Sequence, residues 1–181
     1  MLHDGLPTTF TMNLSDLTPT DGFFVNDVKP FQIQTKFVDA KVEFIKTHEK
    51  AVLPTKAHDN DTGFDVHATE SVTLTPGQSK VVPIGLKLGY ITPGYWILIG
   101  SRSGLGFKHN LTAHPGVIDE GYRGSLDILI RNLDQNRSYT FNVGDKVAQL
   151  IVFRNYTVEV SEATEAVATA RGEKGFGSSG R

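Results

Sequence analysis

KVVPIGLKLGYITPGYWILI, residues 80–99, decides the fold. Two apolar, β-branched-rich stretches, Lys80–Leu88 and Tyr95–Ile99, lie either side of Pro93-Gly94. Each is too short for a helix and is bounded by turn chemistry, so both read as strands. The same texture continues outward to Val42–Ile45, Leu126–Ile130, Val147–Phe153 and Thr157–Val160. Between these lie Pro76-Gly77, Pro115-Gly116 and Val143-Gly144-Asp145, which redirect strands rather than extend helices. Residues 41–160 are therefore expected to form an all-β domain, a distorted jelly roll or barrel, with Gly85, Gly89 and Gly94 serving its tight turns. Ser161–Ala170 (SEATEAVATA) has helix-forming composition but no large apolar residue, and reads as a linker into a Gly-rich end.

The 181 residues and 19.8 kDa suit one well-buried domain with appendages. Hydrophobic residues at 39% and charged residues at 21% exclude wholesale disorder and fibrous repeats. The absence of cysteine excludes disulfides, thiolate nucleophiles and cysteine metal sites, and a net charge of −2 offers no broad basic surface for nucleic acid. No apolar run approaches a membrane span, and the N-terminus lacks the layout of a signal peptide. A cytoplasmic protein is expected, with the nucleus left open and either a cellular or a viral source compatible. Residues 1–40 hold five Asp and only Lys29 and Lys36, a net of −3, with Pro and Gly interrupting any periodicity. They read as an N-terminal extension, either a partly ordered appendage or an arm whose Phe23, Phe24 and Phe31 contact a protein partner.

Nine of the 18 glycines fall between Gly85 and Gly124, and four more lie in the last eleven residues, RGEKGFGSSGR. That tail has too much Gly and Ser to hold itself folded, yet it offers cations, hydroxyls and one aromatic plate suited to closing over a phosphorylated ligand. In Ser101-Arg102-Ser103-Gly104, fixed guanidinium donors, hydroxyls and an approachable backbone suit phosphate oxygens. Gly116–Gly124 (GVIDEGYRG) places an acid, a tyrosine and an arginine in a turn between strands, where a solvated hairpin tip is the competing reading. Thr62-Gly63-Phe64-Asp65 adds a carboxylate beside glycine, and Gln149 is a polar residue inside an apolar strand.

In this order the clusters resemble the five motifs of the homotrimeric dUTP diphosphatases (dUTPases). DTGFDVHA (61–68), SRSGLG (101–106), GVIDEGYRG (116–124), GDKVAQLIV (144–152) and RGEKGFGSSG (171–180) are similar to the first through fifth motifs, and the likeness spans roughly residues 41–181. The resemblance implies hydrolysis of dUTP to dUMP and pyrophosphate by water attack on the α-phosphorus. That activity limits uracil incorporation into DNA and supplies dUMP for thymidylate synthesis. It implies Asp119 as general base, with Glu120 as the rival carboxylate, and Tyr122 packed beneath the deoxyribose where a 2′-hydroxyl would clash. The stretch Ala113, Gly116, Val117 and Ile118 resembles a hairpin that reads uracil through its backbone, with His114-Pro115 departing from the commoner pattern and no role assigned to the His114 side chain.

The resemblance further puts Arg102, Ser103, Gly104 and Gln149 on phosphate oxygens. Mg²⁺ is implied as cofactor, held without a direct protein ligand, with Asp65 acting on it through water. Phe176 would stack on uracil, with Gly177, Ser178, Ser179 and Arg171 closing over the phosphates as a C-terminal lid after the 161–181 linker and arm. In the family this arm comes from another subunit and the sites lie between protomers of a trimer. A dCTP deaminase shares the general look of residues 101–130, but Ser125–Ile130 lacks the glutamate that chemistry needs, Asp127 being shorter and at a different register. A dUTPase-like binding or regulatory module, using residues 1–40 on a protein partner, is the alternative of a different class. Neither a membrane nor direct nucleic-acid contact is expected.

Overall fold

A computed structural model describes residues 38–173. Ten strands and one short helix follow in order: β1 (Val42–Lys46), β2 (Phe64–His67), β3 (Val72–Leu74), β4 (Ser79–Ile91), β5 (Tyr95–Gly100), α1 (Ser103–His109), β6 (Leu111–Ala113), β7 (Gly116–Ile118), β8 (Ser125–Asn132), β9 (Tyr139–Phe141) and β10 (Lys146–Arg154). One four-stranded sheet has the order β1-β4-β8-β6, a second has β2-β10-β5-β7, and β3 and β9 form a ribbon. Every pairing is antiparallel, as expected of a jelly-roll-like β fold.

Alternation drives the packing. In β8, Leu126, Ile128, Ile130 and Asn132 face inward while Ser125, Asp127, Leu129 and Arg131 face outward, the period of a strand with one face on a core. Ile84, Leu86 and Leu88 of β4, Ile97 of β5, Phe141 of β9 and Leu150 of β10 are fully buried with them. Each such side chain stabilises the fold by about 1.5–3 kcal/mol relative to exposure. The fully buried Asn132 is satisfied, its amide donating to the Leu74, Thr75 and Arg137 carbonyls and its oxygen accepting from the Asp134 amide. It thereby pins β8 to the end of β3 and to the loop before β9.

Two expectations need correction. Gly94 does occupy a turn, at φ +81°, but Gly85 and Gly89 lie inside β4. Gly85, at φ +63°, forms the bulge where the β4–β8 register jumps between Pro83 and Lys87, and a side chain there would press on His48. Gly89 lets β1 approach, its Cβ position being 3.3 Å from the Glu43 carbonyl. Thr157–Val160 is not a strand among the described residues: the ladder of β10 ends at Arg154, Val158 and Val160 are exposed, and strand geometry needs a ladder neighbour that no described residue gives them. In addition, the Ser101-Arg102-Ser103-Gly104 cluster runs into α1, a helix that the reading of the sequence did not include. Its two glycines weaken the helical signal, while buried Leu105 and the left-handed Asn110 cap, donating to the Leu105 and Gly106 carbonyls, hold it. Ser161–Ala170 forms no helix.

Candidate active site

Strands β2 and β10 set Asp65 opposite Gln149 and His67 opposite Lys146. On the other flank of β10, Gln149 pairs with Gly100 of β5, so the chain leaves β5 as Ser101-Arg102 directly beside Asp65. Arg102 Nε donates to Asp65 Oδ1 at 2.9 Å and Lys146 Nζ to Oδ2 at 2.7 Å, while Arg102 Nη1 donates to the Lys146 carbonyl at 3.3 Å. Burial works to raise the Asp65 pKa, but the Lys146 and Arg102 cations outweigh it and the net shift is downward, so Asp65 is ionised at neutral pH. His67 is pushed down by burial first and by the Lys146 cation second, and its Nδ1 is buried without a hydrogen-bond partner among the described residues.

The remaining donors of Arg102 and the first amides of α1, at Ser103 and Gly104, which have no acceptor within the helix, form an anion-seeking group at this end of β5. Gln149 Nε2 donates to the Ser101 carbonyl at 2.9 Å, and a Cβ at Gly63 would displace the Gln149 side chain from that position. Ser101 Oγ accepts from the Ala113 amide at 2.9 Å, which ties β6 to the same corner.

The segment expected to be a hairpin is instead a crossover. β6 pairs with β8 in one sheet and β7 with β5 in the other, so His114-Pro115 carries the chain between sheets and the His114 amide is taken by the Leu129 carbonyl. Register explains this: Ala113 and Ile118 are buried in different sheets, and two residues suffice to cross. Val117 faces out, and Gly116 must be glycine or crowd Ile99, whose Cδ1 is 3.0 Å from the Cβ position.

Beyond β7, Asp119 is exposed. The Tyr122 amide closes the turn on the Asp119 carbonyl, and its hydroxyl donates to the Ser125 carbonyl at 3.0 Å. Gly124 sits under the Tyr122 ring, where any Cβ would strike the phenol. The motif's final glycine thus seats its tyrosine.

β5 separates these two groups. Ile118 lies opposite Ile97 and Gly116 opposite Ile99, so Asp119 emerges at the start of β5 and Arg102 follows its far end. At ~3.3 Å per residue the six residues of β5 hold them roughly 20 Å apart. One chain brings together Asp65, Arg102, Ser103, Gly104, Ala113 and Gln149, and separately Asp119 and Tyr122. Arg171 lies in a turn closed by the Gly172 amide on Thr169, and Phe176, Gly177, Ser178 and Ser179 fall outside the described residues. An open cavity of about 1070 Å³, lined by Phe44, Ile45, Leu53, Phe64 and Val152 among others, contains none of the expected site residues.

The dUTPase family model matches residues 49–180. The chain belongs to the dUTPase family. The deoxyuridine 5′-triphosphate nucleotidohydrolase of Solibacter usitatus is 45% identical over 145 residues, covering 78% of this chain and 97% of the relative. That of Clostridium novyi is 40% identical over 137 residues, covering 75% and 95%. Among solved structures, the Staphylococcus bacteriophage 80alpha dUTPase with dUpNHpp superposes with a TM-score of 0.72 at 30% identity, covering 78% of this chain and 99% of that one. A variant dUTPase from phage phi11 of S. aureus, described for its coordination of a structural Mg(II) ion, superposes with a TM-score of 0.65 at 29% identity, covering 71% and 99%.

Within this dUTPase, sequence reasoning overlooked Lys146, the second cation on Asp65, and, having read the Ser101 hydroxyl as suited to phosphate, did not find its role as the anchor of β6. The signal for Lys146 was its place three residues before Gln149 on the strand facing Asp65, which becomes legible only once the β2–β10 register is known.

Proposed function

We propose that this protein hydrolyses dUTP to dUMP and pyrophosphate at sites completed by neighbouring subunits. The observation that carries the subunit arrangement is the placement of Asp119 and Arg102 at opposite ends of β5. With the two residues set roughly 20 Å apart along the backbone of β5, Asp119 meets an Arg102 on another copy rather than that of its own chain. A closed trimer supplies three equivalent meetings of this kind.

At each site Asp119 takes a proton from a water that attacks the α-phosphorus, and the bond to the bridging oxygen breaks to release pyrophosphate. Arg102, with the Ser103 and Gly104 amides and Gln149, holds the phosphate chain for in-line attack. Tyr122, seated on Gly124, lies against the sugar and leaves no space for a 2′-hydroxyl, while the backbone of Ala113–Ile118 reads the base. Arg171 with Phe176–Ser179 closes the site.

The donor set fits Mg²⁺ carried on the phosphates rather than caged by protein. Asp65 has each oxygen committed to one cation but keeps lone pairs for water, and no group of three His, Asp or Glu suited to a metal occurs among the described residues. When bound, the ion neutralises phosphate charge, with Asp65 reaching it through water. No helix among the described residues is long and apolar enough to cross a membrane.

The test is pyrophosphate release from dUTP, dTTP, dCTP and UTP, with Mg²⁺ or EDTA, for the native chain and for Asp119→Asn. Turnover of dUTP alone, lost with EDTA and reduced by at least 1,000-fold in Asp119→Asn, is expected for removal of a base that also orders the attacking water. Near-native kcat in a folded Asp119→Asn protein would remove the assignment of the base.

A further inference from the structure

We infer that Glu120 is a positioning residue that fixes the Asp119–Gly124 loop by gripping the β4–β5 turn; this rests on the reading of Asp119 as the base. The Gly94 amide donates to a Glu120 carboxylate oxygen at 2.9 Å, across 26 residues of sequence. The loop's other hydrogen bonds are local: Tyr122 amide to the Asp119 carbonyl, Tyr122 hydroxyl to the Ser125 carbonyl, and Arg123 Nη1 to the carbonyls of Glu120 and Tyr122. Among the described residues, the Glu120–Gly94 bond is the one that joins this loop to another element. Without it, the loop hangs from the ends of β7 and β8 alone.

Gly94 is a rigid post. Its φ of +81° holds a turn that a side chain would strain, and its carbonyl accepts the Asn155 amide at 2.7 Å, just beyond the last residue of β10. One residue, through the two peptide groups that flank it, therefore couples the loop bearing the base, the entrance to β5 and the point where the chain departs toward Arg171. A carboxylate accepting a backbone amide makes a charge-assisted bond, which suits a tether that must hold through each turnover. It also commits one Glu120 oxygen to the turn, whereas no hydrogen bond among the described residues engages the Asp119 carboxylate.

The experiment compares Glu120→Gln, Glu120→Ala and Asp119→Asn in the full-length protein, reading kcat and KM for dUTP and the Gly94 amide proton by ¹⁵N–¹H NMR. Glu120→Gln keeps an acceptor oxygen and is expected within twofold of native kcat, with the Gly94 proton still downfield. Glu120→Ala is expected to lose three- to tenfold in kcat with KM within twofold, and its Gly94 proton to move upfield. A Gln variant as inactive as Asp119→Asn would overturn the proposal by giving Glu120 a chemical role. So would an Ala variant with native kcat, or one whose Gly94 resonance does not move. Should Asp119→Asn remain active, the base reading fails by itself, while the Gly94 resonance still reports on the tether.

Discussion

Replacing Asp65 by Asn removes the negative charge between two cations and tests how the phosphate-binding corner is held. The native carboxylate accepts from Arg102 Nε at 2.9 Å and from Lys146 Nζ at 2.7 Å. A hydrogen bond to a charged group nets about 1.5–3 kcal/mol when buried. The Arg102 and Lys146 side chains are 29% and 38% exposed, so solvent screening brings the pair to about 2 kcal/mol together. With an unfolding entropy of about 0.3 kcal/mol/K for a domain of this size, Tm should fall by about 7 °C at pH 7 and low salt.

The pH dependence has a definite sign. Asp65 has its pKa lowered below the ordinary 3.8, so its contribution is present above that value and is lost as the pH falls beneath it. Calorimetric melts of native and variant should differ at pH 7, the difference should narrow as the pH falls below 3.8, and it should shrink in 0.5 M NaCl. Adding Lys146→Met to Asp65→Asn, which removes the uncompensated ammonium, should recover part of the loss. Because Arg102 loses its anchor, kcat/KM should drop by about tenfold or more. A Tm within 2 °C of native at pH 7, or a gap that does not narrow as the pH is lowered beneath 3.8, would count against this account.

Gly124→Ala displaces the Tyr122 ring and breaks its hydroxyl bond to Ser125, so discrimination of dUTP from UTP, read as a ratio of kcat/KM values, should fall by about tenfold with the fold intact. Asp134 is held at a pKa of about 2 by the Asn136 and Arg137 amides and then by the Arg137 guanidinium, which together lock the loop before β9. Asp134→Asn should lower stability at neutral pH, and in acid-unfolding curves the gap should close as the pH falls from 3.8 toward 2.

The strands were legible where an apolar run ended in turn residues, as at Lys80–Leu88 and Tyr95–Ile99, because period and punctuation are local properties. They misled at Thr157–Val160, whose alternation is that of a strand although no described residue pairs with it. They missed α1, where Gly104 and Gly106 mask a helix that Leu105 holds by burial. In the site, residue types spoke clearly: a guanidinium beside serine and glycine suits anions, and an acid beside a tyrosine in a turn suits chemistry on a bound ligand.

Partnership was beyond the sequence's reach. That Lys146 shares Asp65 with Arg102 follows from the β2–β10 register, that Gly124 seats Tyr122 follows from the fold of one turn, and that Glu120 reaches Gly94 follows from β7 running antiparallel to β5. Legible in the chain alone were the five longest strands and the chemical vocabulary of the site, since these depend on each residue and its near neighbours, whereas the short strands β2, β3, β6, β7 and β9 carry too few residues to show a period. Only the tertiary structure decided that His114-Pro115 passes between sheets and that β5 holds Asp119 and Arg102 apart, because strand register and order are set by packing between residues distant in the chain.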